Sequence, residues 1–194
     1  MSSQQSRHSY PLEIEIKLRV QDLNRTRLTI RRLGFQVRGR RAFEDNIILD
    51  TRDGNLAKAR CLLRVRQFNR NWTLTLKSPV RGRSRYKVRQ ELETTLQDGT
   101  VLVAILRRLG LEQVFRYQKY RTIFKPGQKP FRGATLTLDE TPIGPFLEIE
   151  GPSSAIDAVS SALGFSPSDY IRESYIELFH KLKSSDRQDM VFRP

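Results

Sequence analysis

Seven stretches of this chain alternate apolar and ionised residues with a period of two, and that pattern restricts the folds open to it more than any other feature. The first is Leu12-Glu13-Ile14-Glu15-Ile16-Lys17-Leu18. A period of two belongs to a strand whose side chains point alternately to its two faces. Glu13, Glu15 and Lys17 therefore share one face, and Leu12, Ile14, Ile16 and Leu18 the other. Taken singly, such a strand sets its apolar face on a core and its charges in water. The pattern recurs, however. Arg64 and Arg66 alternate with Leu63 and Val65, and Thr73, Thr75 and Lys77 with Trp72, Leu74 and Leu76. Arg85, Lys87, Arg89, Glu91 and Glu93 take every second place in one extended segment, and Lys119 and Arg121 are in phase in another. Asp139 follows Thr135 and Thr137 in step, and Glu148 and Glu150 flank Ile149.

Helical spacing separates these strands. Asp22 is placed to cap a helix that stops at Gly34, with Leu23, Leu28, Ile30 and Leu33 as its apolar positions. A second helix runs from Asp98 to Gly110 on Val101, Leu102, Ile105, Leu106 and Leu109, and a third from Ala155 to Leu163. Ser168 or Asp169 is the expected cap of a last helix through Tyr175, Leu178 and Leu182. Phe35 to Leu49 reads as a long or bent strand carrying Arg38, Arg40 and Glu44 on alternate positions. The repeated strand–helix–strand order suggests an internal duplication. About eight strands and few helices predict an α+β domain with a mostly antiparallel sheet. A chain of 194 residues suffices for one such domain. The expected division is a mobile tail over 1–10, a single domain over 11–182 and a polar, frayed tail over 183–194.

Composition narrows the classes. With 38% hydrophobic and 29% charged residues the chain is a folded one. It holds no apolar run near the ~20 residues of a membrane span, and its first eleven residues lack the apolar core of a signal peptide. The single cysteine, Cys61, leaves no intramolecular disulfide and too few thiols for structural zinc. A cytoplasmic location is the default expectation. His8 and His180 lie near the termini without a partner at ligand spacing, and no Gly-rich strand-to-helix loop offers a phosphate cradle. Against 21 acids stand 35 Lys and Arg, giving a formal charge of +14 and an anionic partner as the expectation. The in-phase strand charges are nearly balanced, with seven acids (Glu13, Glu15, Glu91, Glu93, Asp139, Glu148, Glu150) and six bases (Lys17, Arg64, Arg66, Lys77, Lys119, Arg121). The basic excess lies chiefly in 19–41 and 81–89.

Two geometries absorb such strands. An open sheet covers its apolar face with helices and leaves the charged face in water. A closed barrel turns the charges inward, and eight strands enclose enough space for a small ligand. Burying thirteen charges is costly unless a ligand engages them. A phosphorylated ligand carrying divalent metal would, with Arg and Lys on phosphate oxygens and carboxylates on a hard cation. Nucleic acid is disfavoured despite the high pI, because aligned carboxylates repel its backbone.

The ordered series Glu13-x-Glu15-x-Lys17, Arg64-x-Arg66, Lys77, Glu91-x-Glu93, Lys119-x-Arg121, Asp139, Glu148-x-Glu150 resembles the CYTH superfamily, the triphosphate tunnel metalloenzymes, over about residues 10–182. Ser174-Tyr175 resembles that family's closing helix. The resemblance implies a closed eight-stranded antiparallel tunnel with helices outside, binding a triphosphate-containing small molecule with Mg2+ or Mn2+, as a monomer or homodimer. It implies metal binding by Glu13, Glu15, Asp139, Glu148 and Glu150. The phosphate-gripping groups would be Lys17, Arg64, Arg66, Lys77, Lys119 and Arg121, with Lys77, Lys17 and Arg64 as the catalytic residues among them. Glu91 and Glu93 would support the bases or metal-bound water. Lys77 would polarise a phosphate, or help activate water if its pKa were lowered. Ile48-Leu49 precede Asp50-Thr51 where many members carry a Tyr, so the Lys–Tyr dyad proposed for thiamine triphosphatases lacks its Tyr at that place. The implied reactions are triphosphate hydrolysis first, cyclisation of ATP to cyclic AMP second. A non-catalytic polyphosphate- or RNA-binding module is the remaining reading.

Overall fold

The computed structural model describes residues 10–127, 131–182 and 188–193; the expected mobile segment before Tyr10, and Pro130 of an expected loop, lie outside them. Eight strands run in chain order: β1 (Leu12–Arg19), β2 (Phe35–Thr51), β3 (Leu62–Phe68), β4 (Asn71–Pro79), β5 (Lys87–Leu96), β6 (Leu111–Pro126), β7 (Thr135–Thr141) and β8 (Gly144–Glu150). They close into a barrel in the order β1-β5-β4-β3-β2-β6-β7-β8, every neighbouring pair antiparallel. Among the described residues five α-helices accompany the barrel: α1 (Leu23–Arg32), α2 (Asn55–Lys58), α3 (Gly99–Arg108), α4 (Ser153–Ala162) and α5 (Tyr175–Lys181). The α+β class and the closed tunnel are thus what the chain adopts. Among the described residues no helix is long and apolar enough to cross a membrane.

Closure inverts the usual amphipathic arrangement. Ile16, Leu18, Leu136, Leu138, Leu147 and Ile149 face outward and are buried against Ile30 of α1 and Ala155, Ile156 and Val159 of α4. Leu49 and Val65 pack beneath Val103 of α3, with Trp72 and Leu74 beside them. The charged faces are left with only the barrel interior.

Local chemistry sets the element ends. Asp22 accepts from the backbone N–H groups of Asn24 and Arg25, and Asp98 from those of Thr100 and Val101, each satisfying otherwise orphaned donors. Both helices end before a glycine of positive φ, Gly34 at +86° and Gly110 at +89°. Gly99, at the start of α3, lies against Trp72, whose ring would stand 2.1 Å from an added Cβ.

Three expectations need correction. The last helix is capped by Ser174, not by Ser168 or Asp169. Ser174 and Glu177 form a reciprocal capping box, whereas Pro167–Asp169 is a separate 3-10 turn begun by Ser166. The stretch between them is extended, and Ile171 exchanges two backbone hydrogen bonds with Lys17 where β5 no longer covers β1. Next, residues 188–193 are not a frayed tail. Met190 donates to the Arg116 carbonyl at 3.0 Å and accepts from the Gln118 N–H at 2.9 Å, along the half of β6 that β7 does not reach. Its side chain is fully buried beside Phe115, Tyr117 and Phe179. Finally, register shifts between Val37 and Gly39, and between Gly39 and Ala42, break the phase of β2. Arg38 and Arg40 end up exposed while Glu44 is buried.

Candidate active site

The barrel encloses a cavity of about 460 Å3. Of the thirteen site residues expected from the sequence, twelve line it: Glu13, Glu15 and Lys17 from β1, Arg64 and Arg66 from β3, Lys77 from β4, Glu91 and Glu93 from β5, Lys119 and Arg121 from β6, and Glu148 and Glu150 from β8. Strand order divides them into two walls. Carboxylates of the adjacent strands β8, β1 and β5 crowd one side. Arg64, Arg66, Lys119 and Arg121, from β3 and β6 on either side of β2, make the other basic.

Each base has a carboxylate that orients it. Lys17 Nζ lies 2.9 Å from Glu148, Lys77 Nζ 2.6 Å from Glu13 Oε1 and 3.3 Å from Glu91. Arg66 donates to Glu93 at 3.0 Å, and Arg64 reaches Glu93 at 3.8 Å and Glu91 at 4.0 Å. Arg121 bonds Asp139 at 2.6 Å and also contacts Glu148, and Lys119 donates to Asp139 at 2.8 Å.

Asp139, expected as a metal ligand, is the one site residue that stands behind the cavity wall. It is fully buried, does not line the cavity, and accepts from Arg121 Nε, a second Arg121 nitrogen, Lys119 Nζ and the Tyr175 hydroxyl. With its oxygens so engaged, Asp139 holds bases in place behind the wall.

The electrostatics follow the two walls. Glu13 is pushed up to about 7, by burial first, then by the charge of Glu15, against the opposing pull of Lys77. Glu150, without a hydrogen-bond or ion-pair partner among the described residues, is raised by desolvation, then by Glu15, with Glu91 and Glu148 adding to it. Glu15 goes the other way, to about 2, because Lys87 above all, with Lys17 and Lys77, outweighs burial. Glu148 is held well below the carboxylate range because Lys17, Lys119 and Arg121 overcome its burial. Lys77 is raised: burial and Arg64 press it down, but Glu15, Glu13 and Glu91 prevail. Its surroundings thus favour the ammonium form, the opposite of the lowered pKa that a lysine base would require.

The acidic wall fits a hard divalent cation by its donor chemistry. Glu13 and Glu150 are driven toward protonation by burial first and by neighbouring carboxylates second, and a bound cation would favour their ionised forms. Among the described residues no three such side chains converge as a ready cage. Lys77 and Lys87 occupy Glu13 and Glu15 instead, standing where positive charge is wanted.

Several residues of the site escaped the sequence. Lys87, bonded to Glu15 at 2.6 Å, alternates in phase with Glu91 and Glu93 and was legible in that pattern. Glu44, 1% exposed, lies 3.4 Å from Lys119 and 3.8 Å from Arg121; the β2 bulges hid its phase. Tyr117 comes from the same face as Lys119 and Arg121, and its hydroxyl accepts from Arg64 at 3.3 Å. Arg85, by contrast, leaves the barrel and pairs with Asp157 of α4.

The CYTH domain family matches residues 11–175. A protein of Methanocaldococcus jannaschii named "Putative adenylate cyclase" is 28% identical over 178 residues, 86% of this chain and 98% of its own length. Among solved structures, a Vibrio parahaemolyticus protein described as "a putative adenylate cyclase" superposes with a TM-score of 0.76 at 19% identity, covering 88% of this chain and 99% of that one. The PH1819 protein of Pyrococcus horikoshii does so with a TM-score of 0.72 at 26% identity, covering 88% and 99%. A Hippeastrum protein, "Putative adenylyl cyclase HpAC1", whose description reports a dominant triphosphatase activity, reaches 0.63 at 23% identity, covering 90% and 98%. With that match spanning most of a chain that closes eight strands around an ionised cavity, the protein belongs to the CYTH domain family.

Proposed function

We propose that the protein is a phosphohydrolase that binds a triphosphate chain in the barrel, with Mg2+ or Mn2+, and cleaves its terminal phosphoanhydride. The observation that carries this reading is the division of one cavity into a basic and an acidic wall. An anionic chain along β3 and β6 would take its oxygens' hydrogen bonds from Arg64, Arg66, Lys119 and Arg121, with Lys17 reaching it from β1. These cations, already oriented by Glu44, Glu93, Asp139 and Glu148, need little rearrangement to stabilise charge developing on phosphate oxygens. Glu13, Glu15, Glu148 and Glu150 would hold the divalent ion, which supplies Lewis-acid neutralisation of the phosphates. Lys77, held between Glu13 and Glu91, acts as a fixed positive charge. A water oxygen attacks the terminal phosphorus in line, the bridging P–O bond breaks, and orthophosphate and the shortened chain leave with release of the water proton.

Cyclisation is the second reading, supported by the name of the Methanocaldococcus jannaschii relative. There the ribose 3′-oxygen would attack the α-phosphorus and pyrophosphate would depart. The test is product analysis on purified protein with inorganic triphosphate, ATP or thiamine triphosphate and either metal. Orthophosphate from inorganic triphosphate is the expected result. Cyclic AMP with pyrophosphate from ATP as the only products would replace the first reading with the second. No turnover of any substrate with either metal would overturn both.

A further inference from the structure

Tyr175 is the first residue of α5, and the capping box of Ser174 and Glu177 fixes the turn that presents it. Its ring joins the cavity wall, packed edge-on against Phe146 at 5.6 Å and beside Tyr117 at 5.8 Å. Two ammonium groups from distant strands contact that single ring: Lys17 Nζ of β1 is 4.6 Å from its centroid and Lys119 Nζ of β6 is 4.9 Å. The hydroxyl donates to Asp139 at 2.8 Å, and Asp139 in turn receives Lys119 and Arg121. One side chain from outside the barrel thus touches, directly or through one carboxylate, three of the bases facing the cavity.

We infer that Tyr175 is a positioning residue for the phosphate-binding cations, its ring setting Lys17 and Lys119 and its hydroxyl fixing the Asp139 clamp on Lys119 and Arg121. The inference rests on the phosphate-binding reading of the cavity. Two lysines drawn toward one site repel each other, and each needs its own counter-charge: Glu148 for Lys17, Asp139 and Glu44 for Lys119. The electron-rich ring face adds attraction to both without carrying a formal negative charge that would oppose an incoming phosphate.

The test compares Tyr175→Leu, Tyr175→Phe and, as a packing control, Phe179→Leu. Phe179 belongs to the same helix and apolar cluster but packs on Phe115 at 5.6 Å, away from the cations. Calorimetric binding of inorganic triphosphate is the first readout. Tyr175→Leu should bind about tenfold more weakly than the parent or worse. Tyr175→Phe, which keeps the ring, should lose about threefold or less, and Phe179→Leu should match the parent. The second readout needs no substrate: reductive methylation followed by mass spectrometry should label Lys17 and Lys119 several-fold faster in Tyr175→Leu alone. Parent-like affinity and labelling in Tyr175→Leu, or equal losses in Phe179→Leu, would overturn the inference. Should the parent itself fail to bind triphosphate, the functional reading falls, and the labelling rates decide the positioning role by themselves.

Discussion

Glu44 shows how much a single side chain can contribute inside this barrel. Burial favours its neutral form, yet Lys119, Arg121, Arg64 and Arg66 hold it down to about 2. A carboxylate depressed from its ordinary 4.5 stabilises the folded state above the unfolded pKa and loses that contribution as pH falls toward the folded one. The shift corresponds to roughly 3 kcal/mol, lost between about pH 4.5 and 2. Urea denaturation of Glu44→Gln should therefore show lower stability than the parent at pH 7 and a flatter decline through that acid window; parallel curves would refute the assignment. Glu150 and Asp139 separate two roles that the sequence could not. Glu150→Gln, at an accessible and unpaired position, should change stability by no more than about 0.5 kcal/mol while raising the metal concentration for half-activation about tenfold. Asp139→Asn leaves buried cations undercompensated and should cost about 3–5 kcal/mol with little change in metal dependence. If Asp139→Asn instead shifts the metal requirement and spares the fold, Asp139 is a ligand after all.

Elements declare themselves where their causes are local. Asp22 and Asp98 announce α1 and α3 because capping needs only a side-chain oxygen and the next turn of backbone. Ser174 was hidden although its capping box is equally local, since Ser168 and Asp169 offered a competing cap upstream. The pairing of Met190 with β6 was not legible at all: it depends on β7 being shorter than β6, a tertiary fact. Gly99 makes this dependence measurable. A Gly→Ala change in a helix ordinarily stabilises by about 1 kcal/mol. Here the added Cβ meets the rigid Trp72 ring, so Gly99→Ala should destabilise by about 1–3 kcal/mol in chemical denaturation. A stabilised variant would mean that α3 and Trp72 do not pack as described.

At the scale of the molecule, the barrel carries a two-fold pseudosymmetry. Exchanging β1 with β5, β2 with β6, β3 with β7 and β4 with β8 reproduces the strand cycle. Each half opens with a strand, a ten-residue helix capped by Asp and closed before a glycine, and a strand of 17 or 16 residues, and these two long strands pair with each other. The strand order thus repeats as an internal duplication would, while the cavity-lining residues differ: β3 contributes Arg64 and Arg66 where its counterpart β7 contributes Thr135 and Thr137, and β4 contributes Lys77 where β8 contributes Glu148 and Glu150. That divergence makes one wall basic and the other acidic. Alternation within each strand made the interior legible in the sequence, but which strands stand side by side, and hence the division into walls, required the closed barrel. The two walls place a bound triphosphate along β3 and β6 and its divalent ion against β1 and β8 in the proposed reaction. A crystal grown with Mn2+ and a non-hydrolysable imidotriphosphate tests it most directly. An anomalous manganese peak is expected among Glu13, Glu15, Glu148 and Glu150, with phosphate oxygens bonded to Arg64, Arg66, Lys119 and Arg121. Manganese or phosphate found only outside the barrel would contradict it.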